Sequence, residues 1–310
     1  MPRTDAPPPP RPTGVAGLNP GCRVVEAAGP DGHGTFPVKF LYPTKAAGRS
    51  ERFGPYALDV AMDAPVEGGD LLLAAISHGH GGTALVYRGL ALHLARAGFV
   101  VAMPDHPGNN RNDNSLAGTS LNLENRPRHI RATLDAAFAD PVLGRRLRPG
   151  IAALIGHSLG GYTALAVAGG RPTAFAHETA SGEACPVPVV ADGRVRALVL
   201  LAPAAVWFMA DGALSNVGAP ILMLTAEHDP HTPAIHAQIV TRGVPASSRL
   251  EHRVVAGAGH FAFLDPFPPA LCRPDFPPSR DPPGFDRPAF LKGMNAEIAA
   301  FLQEALSPAR

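Results

Sequence analysis

The stretch Ile151-Ala-Ala-Leu-Ile-Gly156-His157-Ser158-Leu159-Gly160-Gly161 indicates the fold of the whole chain. Its first five residues are apolar, as in a buried strand, and the Ala-rich segment 162–168 can continue as a helix. The G-x-S-x-G pattern between them is typical of a sharp strand-to-helix turn that exposes a serine hydroxyl. Glycines fit at 156 and 160 because a β-carbon there would collide with the backbone across the turn. The pattern predicts Ser158 as a nucleophile; a plain Gly-rich turn is the alternative.

Apolar strand-like runs alternate with helix-like segments on both sides of this turn. Two leading strands are predicted at Arg23–Ala28 and Thr35–Tyr42, joined by a turn at 29–32. Further strands are predicted at Asp70–Ser77, Phe99–Met103, Val195–Ala202, Pro220–Thr225 and Leu250–Val255. Alternating strands and helices imply right-handed crossovers, so we expect an α/β fold with a mostly parallel sheet and helices on both faces.

The helices are predicted from apolar spacing and from the residues that start or stop them. One begins near Ala84 and stops at Gly98, and a second has Pro127 in its first turn after a polar loop. A third piece lies near Pro233–Thr241. The last helix has Phe290, Met294, Ile298, Phe301 and Leu302 on one face.

The domain organisation is predicted to be simple. Residues 1–20 are Pro-rich and are expected to form a disordered tail, followed by one domain over residues 21–310. No insertion is large enough for a cap domain. The three irregular segments 109–124, 170–194 and 266–288 are instead candidates to shape the site.

Composition narrows the classes of partner. The 310-residue chain has 27 basic and 26 acidic residues, a net charge of +1, and no long run of one sign. Neither nucleic acid nor a membrane is therefore an expected partner, and the oligomeric state is left open. No apolar signal segment or spanning run is present, so a cytoplasmic location is expected, with a periplasmic or secreted one if a leader was removed. Three cysteines are too few for a disulfide scaffold, although a Cys185–Cys272 bridge stays open.

A serine nucleophile needs a base and a carboxylate that orients it, in the chain order Ser, Asp/Glu, His for this type of sheet. Asp229 follows the predicted strand Pro220–Thr225, and His260 follows Leu250–Val255. Order and placement at strand ends agree, so Ser158, Asp229 and His260 are predicted as catalytic. Glu227 is the alternative acid, and Asp229 has the alternative role of a helix cap.

The developing oxyanion needs preorganised N–H donors. The backbone N–H groups of Leu159, just after the nucleophile, and of His80, in Ser77-His-Gly-His-Gly-Gly82 after a strand, are predicted to supply them. An apolar substrate pocket is predicted from aromatic residues near strand ends: Trp207, Phe208, Phe261 and Phe263. An ordinary core position is the alternative for each.

These motifs resemble those of the α/β-hydrolase fold. Three shorter stretches, Phe40-Leu-Tyr-Pro43, Pro104-Asp-His-Pro-Gly108 and Glu124-Asn-Arg-Pro127, resemble dienelactone-hydrolase-like proteins and the related platelet-activating-factor acetylhydrolases. The resemblance covers roughly residues 22–306. Dienelactone hydrolases use a cysteine nucleophile, whereas position 158 is serine. That departure favours ordinary ester hydrolysis over cleavage of the dienelactone type.

The expected activity is serine-dependent hydrolysis of small carboxylic esters through an acyl-enzyme, with short or medium acyl chains and with lactones or aryl esters also open. No cofactor or metal is expected. Two alternatives remain. One is metal-dependent hydrolysis by the residues His78, His80, Asp105, His106, His228 and His231. The other is a hydrolase fold that binds a ligand without turning it over.

Overall fold

The computed structural model describes residues 17–29 and 34–307. The central sheet has ten strands in the order β12-β11-β10-β7-β5-β6-β2-β1-β4-β3. Its strands are β1 (Asn19–Ala28), β2 (Thr35–Thr44), β3 (Arg49–Phe53), β4 (Tyr56–Met62), β5 (Leu71–Ser77), β6 (Phe99–Pro104), β7 (Leu147–His157), β10 (Val195–Leu201), β11 (Ile221–His228) and β12 (Leu250–Gly259). The short strands β8 (Thr173–Ala174) and β9 (Cys185–Pro186) form a separate antiparallel pair.

The six strands from β6 to β12 in the sheet order pair in parallel throughout. Strand β2 joins β6 antiparallel, and β1 joins β2 antiparallel. Because parallel strands all end at the same edge, the segments that follow β5, β7, β11 and β12 meet there. This edge holds the predicted site.

Five α-helices cover the two faces of the sheet: α1 (Arg88–Arg96), α2 (Ser120–Ala139), α3 (Leu159–Val167), α4 (Ala234–Gly243) and α5 (Arg287–Ala305). Leu94 of α1 and Ile298 of α5 belong to one buried apolar cluster. Leu134 of α2, Leu165 of α3 and Val240 of α4 belong to the cluster on the opposite face. The predicted α/β architecture with helices on both faces is therefore confirmed. Among the helices described, none combines the length and apolar character needed to cross a bilayer.

Helix α2 begins earlier than predicted, because Pro127 lies inside it rather than in its first turn. Thr119 caps the helix, its side-chain hydroxyl accepting a hydrogen bond from the backbone N–H of Asn122. Proline has no N–H to donate to the carbonyl of Leu123, one turn earlier. That carbonyl accepts a hydrogen bond from the Tyr162 hydroxyl at 2.9 Å instead. A contact from α3 therefore compensates for a proline that would otherwise favour a helix boundary.

The antiparallel hairpin of β3 and β4 was missing from the predicted elements. Tyr56, Leu58 and Val60 alternate with exposed residues along β4, a period-2 pattern that could have revealed the strand. Residues 30–32 of the predicted turn and most of the predicted tail 1–20 fall outside the described residues. The last part of that tail segment, from Asn19, belongs to β1.

The disulfide left open by the sequence is not formed. Cys22, Cys185 and Cys272 are all free thiols. Cys185 pairs with Ala174 in the β8–β9 ladder, whereas the Cys272 thiol lies 3.4 Å from the carbonyl oxygen of Phe267. The two irregular segments that carry these cysteines therefore make their own local contacts.

Candidate active site

Ser158 lies at the tip of the turn between β7 and α3, with φ +53° and ψ −120°. Two glycines make the turn possible. A β-carbon on Gly160 would lie 1.9 Å from the carbonyl oxygen of Ser77, and one on Gly156 would lie 2.1 Å from the carbonyl oxygen of Gly160. The strand–turn–helix context predicted for G-x-S-x-G is therefore present.

Backbone hydrogen bonds hold Ser158 on both sides. Its N–H donates to the carbonyl of Leu201 at 3.0 Å. Its own carbonyl accepts from the N–H groups of Gly161 and Ala204, each at 2.8 Å. The neighbouring strand β10 and helix α3 thus fix the backbone from which the serine side chain projects.

Asp229 and His260 meet in the structure, although 31 residues separate them along the chain. The distance from His260 Nδ1 to Asp229 Oδ2 is 2.7 Å, and the two side chains are 4% and 2% exposed. A carboxylate at this distance favours a proton on Nδ1. The other ring nitrogen, Nε2, is then left as a proton acceptor.

Asp229 is held in its ionised form by its hydrogen bonds. Burial raises the pKa of its carboxyl, but donors from His260 and Thr232 outweigh that effect and hold the pKa below its usual range. The Thr232 hydroxyl donates to Asp229 Oδ2 at 2.6 Å, and its backbone N–H donates to Oδ1 at 2.8 Å. Thr232 was not singled out from the sequence. Because it lies three residues after Asp229 at the entry to α4, an Asx-type turn was the available signal.

The alternative acid, Glu227, lies elsewhere. Its side chain is 51% exposed, and Oε2 accepts a hydrogen bond from the backbone N–H of Gly257 at 2.7 Å. Strand β11 runs to His228, three residues further than predicted, so Glu227 is still on the strand end while Asp229 begins the loop. The geometry favours Asp229 over Glu227 as the partner of His260.

Ser158 and His260 both line one cavity of about 350 Å³, called here the larger cavity. Between these two side chains, both within the described residues, no hydrogen bond is formed. Catalytic hydrogen bonds are often long in unliganded enzymes and tighten when substrate binds. The arrangement therefore places the predicted nucleophile and the predicted base at the wall of one cavity.

The loop after β5 lies directly against Ser158. A β-carbon on Gly79 would lie 3.3 Å from the β-carbon of Ser158. Among the described residues, neither the backbone N–H of His80 nor that of Leu159 has a hydrogen-bond acceptor. Leu159 is the first residue of α3, where N–H groups are free to bind an anion. Both N–H groups are thus available to bind an oxyanion.

A buried arginine on α2 supports this loop. Arg126 is fully buried and donates to the side-chain oxygens of Thr163 and Asn109, at 3.0 and 2.7 Å, and to the backbone carbonyl of His78. Burial lowers its pKa to about 9. Within the described residues no carboxylate lies within ion-pair distance of it. Sequence reasoning used Arg126 only as part of a family resemblance, not as a residue that holds the loop.

The four predicted pocket residues divide into two groups. Phe261 lines the larger cavity, and Trp207 lines a second cavity that also adjoins Ser158. Phe208 and Phe263 do not line the cavities beside Ser158, so their prediction is wrong. Both are buried core residues: Phe208 stacks on Tyr162 with ring centroids 5.5 Å apart, and Phe263 packs against Phe290 at 5.8 Å.

Most of the apolar wall of the larger cavity was missed from the sequence. It comes from the β3–β4 hairpin, the short helix before α1, the chain just after His260 and the segment 266–288: Tyr56, Val86, Tyr87, Leu264, Phe267 and Phe276. Arg111, from the segment 109–124, also lines it. The irregular segments therefore do shape the site, as predicted. Which of their residues reach Ser158 depends on folding contacts that no local pattern reveals.

The histidines considered as metal ligands are engaged in other contacts. His78 Nε2 accepts a hydrogen bond from the backbone N–H of His106 at 3.0 Å, and His106 Nε2 lies 2.9 Å from the Ser77 hydroxyl. Burial lowers the pKa of His78 to about 4. In the part of the chain that the structure describes, no group of three or more His, Cys, Asp or Glu side chains could hold a metal ion.

Comparison with known proteins gives one sequence match and several structural ones. Residues 76–214 match a family described as alpha/beta hydrolase fold. A ferulic acid esterase from Streptomyces cinnamoneus is similar with a TM-score of 0.67 and 18% identity, covering 96% of this chain and 93% of that one. A dienelactone hydrolase from Anabaena variabilis is similar with a TM-score of 0.55 and 16% identity, covering 93% and 100%. No curated protein sequence matches the chain.

Proposed function

We propose, on the premise that this chain has the alpha/beta hydrolase fold, that it is a serine hydrolase of carboxylic esters. The fold was predicted from the sequence and is confirmed by the family match and by the structural likeness. The resemblance to dienelactone-hydrolase-like proteins is confirmed at the level of fold. An esterase-like activity is in keeping with the solved structures, named a ferulic acid esterase and a dienelactone hydrolase.

The observation that carries the proposal is the Asp229–His260 pair beside Ser158. The 2.7 Å hydrogen bond orients the imidazole, and His260 and Ser158 line the same cavity. In the proposed first step, His260 Nε2 takes the hydroxyl proton of Ser158 as the oxygen attacks the ester carbonyl. Asp229, kept ionised by Thr232, stabilises the resulting imidazolium.

The backbone N–H groups of His80 and Leu159 hold the negative charge that develops on the carbonyl oxygen. His260 then returns the proton to the leaving alcohol, and the carbon–oxygen bond of the ester breaks. A water molecule, deprotonated by His260, hydrolyses the acyl-enzyme and restores Ser158. No metal or organic cofactor takes part in this scheme.

The substrate is proposed to be a small-molecule ester with an apolar group. The larger cavity, about 350 Å³, is bounded by aromatic and aliphatic residues such as Tyr87, Phe261 and Phe267. It supports short or medium linear esters and aryl esters. Lactones are kept in the substrate range for testing.

The test is a panel of p-nitrophenyl esters of graded acyl length, with lactones and amides added, combined with a serine-directed phosphonate. We expect ester turnover, its loss after phosphonate treatment, and a phosphonate adduct on the peptide that carries Ser158. The variant Ser158→Ala should show neither turnover nor adduct. Activity that a chelator abolishes and a phosphonate spares would instead support metal-dependent hydrolysis. Binding of esters without turnover would support the non-catalytic alternative.

A further inference from the structure

A second cavity, called here the smaller cavity, also adjoins Ser158. Its volume is about 250 Å³. Ser158 and His80 line both cavities, and Leu159 lines the smaller one. His260 lines the larger cavity and not the smaller one.

The wall of the smaller cavity contains a buried carboxylate, Glu178. Its residue is 9% exposed. Glu178 Oε2 accepts hydrogen bonds from the indole N–H of Trp207 at 2.9 Å and from the backbone N–H of Phe175 at 2.8 Å. Among the described residues, no Lys, Arg or His side chain lies within 4 Å of it. A carboxylate has about four acceptor sites, so these two donors leave capacity for another.

A buried amide, Asn122, lines the same cavity. It lies in the first turn of α2 and is 3% exposed. Its Oδ1 has no hydrogen-bond partner within the described part of the chain. A buried polar group without a partner costs free energy, typically about 1–3 kcal/mol. A ligand group that hydrogen-bonds to Asn122 would remove that cost.

The position of His260 assigns each cavity to one half of the ester. His260 must protonate the leaving alcohol, so the alcohol occupies the larger, apolar cavity that His260 lines. The acyl group then occupies the smaller cavity, which Ser158 and both proposed oxyanion donors line. This assignment rests on the proposed function.

We propose that the smaller cavity selects esters whose acyl group carries a hydrogen-bond donor, such as a hydroxyl, for Glu178 and Asn122. The one proton of such a hydroxyl is donated either to the free acceptor capacity of Glu178 or to the unpartnered Oδ1 of Asn122, and a hydroxyl that donates to Glu178 accepts from the Asn122 side-chain N–H. Trp207, fixed by Glu178, provides an apolar wall for the carbon chain. The preferred substrate is thus a small hydroxyacyl ester of an apolar alcohol.

The experiment compares 2-naphthyl butanoate with 2-naphthyl 3-hydroxybutanoate, two esters that differ by one hydroxyl. We expect kcat/KM to be at least about tenfold higher for the hydroxy ester, because one hydrogen bond to a charged group commonly has that effect. The variant Glu178→Gln keeps an acceptor for Trp207 but removes the charge, and it should reduce the kcat/KM ratio toward one. The ratio is used because it cancels any change in the amount of folded enzyme.

Glu183→Gln is the matched control, since Glu183 is an exposed carboxylate on the same segment. It should keep the wild-type ratio. Equal turnover of the two esters by the wild type, or an unchanged ratio in Glu178→Gln, would overturn the inference while leaving the proposed esterase function in place. Failure of the proposed function gives a different result, because neither ester would then be hydrolysed and no phosphonate would react at Ser158.

Discussion

Ser158, the proposed nucleophile, has an energetically unfavourable backbone conformation. Its φ of +53° lies in the left-handed region, which a residue with a β-carbon adopts at a cost of about 1–3 kcal/mol. The hydrogen bonds to Leu201, Gly161 and Ala204 hold it there. The sheet and α3 therefore stabilise a backbone conformation that is unfavourable for a serine by itself. In this conformation the hydroxyl projects from the turn.

Substitutions of Ser158 distinguish the effect of the backbone strain on stability from the effect of the hydroxyl on activity. Ser158→Ala should abolish ester hydrolysis and leave the thermal midpoint near that of the wild type, since a β-carbon remains. Ser158→Gly should also be inactive but more stable than Ser158→Ala, by about 1 kcal/mol, because glycine adopts positive φ without strain. Thermal or urea denaturation of the three proteins measures the order. A glycine variant less stable than the alanine variant would contradict the strain argument.

Asp229 is expected to act through His260 rather than on the substrate. Asp229→Asn should lower kcat by about four orders of magnitude, the scale associated with a misoriented imidazole. Glu227→Gln is the matched control, because Glu227 contacts Gly257 and not His260, and it should retain activity within about twofold. Steady-state kinetics of the two variants on one p-nitrophenyl ester show whether Asp229 or Glu227 orients His260. The reverse pattern would assign the acid to Glu227.

The turn between β7 and α3 depends on how closely secondary-structure elements approach one another. Gly160 brings α3 against the end of β5, and Arg126 of α2 binds Thr163 of α3 and the carbonyl of His78. Three elements are thereby held to the loop that carries His80. Their packing, rather than the loop's own sequence, keeps the proposed oxyanion donors beside Ser158.

Gly160→Ala tests this approach of elements. The new β-carbon would lie 1.9 Å from the carbonyl oxygen of Ser77, so α3 and β5 must separate. We expect a loss of at least about 3 kcal/mol in the free energy of unfolding, together with loss of activity. Gly218→Ala is the control, because a β-carbon there meets nothing within 4 Å and its φ is not positive. That variant should remain within about 0.5 kcal/mol of the wild type in urea denaturation. Equal effects of the two changes would contradict the packing argument.

Across the molecule, several histidines are buried in their neutral form. Burial lowers the pKa of His129 and of His157 to about 3, and that of His78 to about 4. In the unfolded chain histidine takes up a proton near pH 6.5, whereas these folded groups do not. The unfolded state therefore binds more protons between about pH 4 and 6.5. Stability from these residues is present above pH 6.5 and is lost as the pH falls below it.

His129 provides a measurable case. Between pH 6.5 and 5 the free energy of unfolding of the wild type should fall by about 2 kcal/mol because of His129. The variant His129→Gln should not show this part of the decrease. Burial raises the pKa of Asp265 to about 6, which acts in the opposite direction, but it is common to both proteins and cancels in the difference. Urea denaturation at pH 7, 6 and 5 should show the two stabilities converging. Parallel pH dependences would contradict the effect.

The parts predicted from the sequence were those with a strong local pattern. Apolar runs and their order predicted the strands that carry Ser158, Asp229 and His260, because a buried strand must be apolar along its length. Helix α2 shows where local patterns fail. Pro127 favours a helix start, and the Tyr162 hydroxyl that makes it tolerable comes from a residue 39 positions from Leu123.

The aromatic residues show a second kind of limit. Phe208 and Phe263 have the same composition and strand-end placement as Phe261, yet only Phe261 reaches the larger cavity. Hydrophobicity predicts that a side chain is buried, but it does not predict whether the side chain lies in the core or in the wall of a cavity. Tyr56 and Phe276, far apart along the chain, line one cavity, and their hydrophobicity does not reveal this either.

The chain order of the proposed nucleophile, acid and base, and the glycines of the turn, were predicted from the sequence alone, because backbone sterics and strand polarity act over a few residues. The distances between those groups, the placement of Thr232 against Asp229, and the two cavities that adjoin Ser158 arose only in the folded molecule. They depend on contacts between segments that are distant along the chain, and such contacts form only when the sheet and its covering helices assemble.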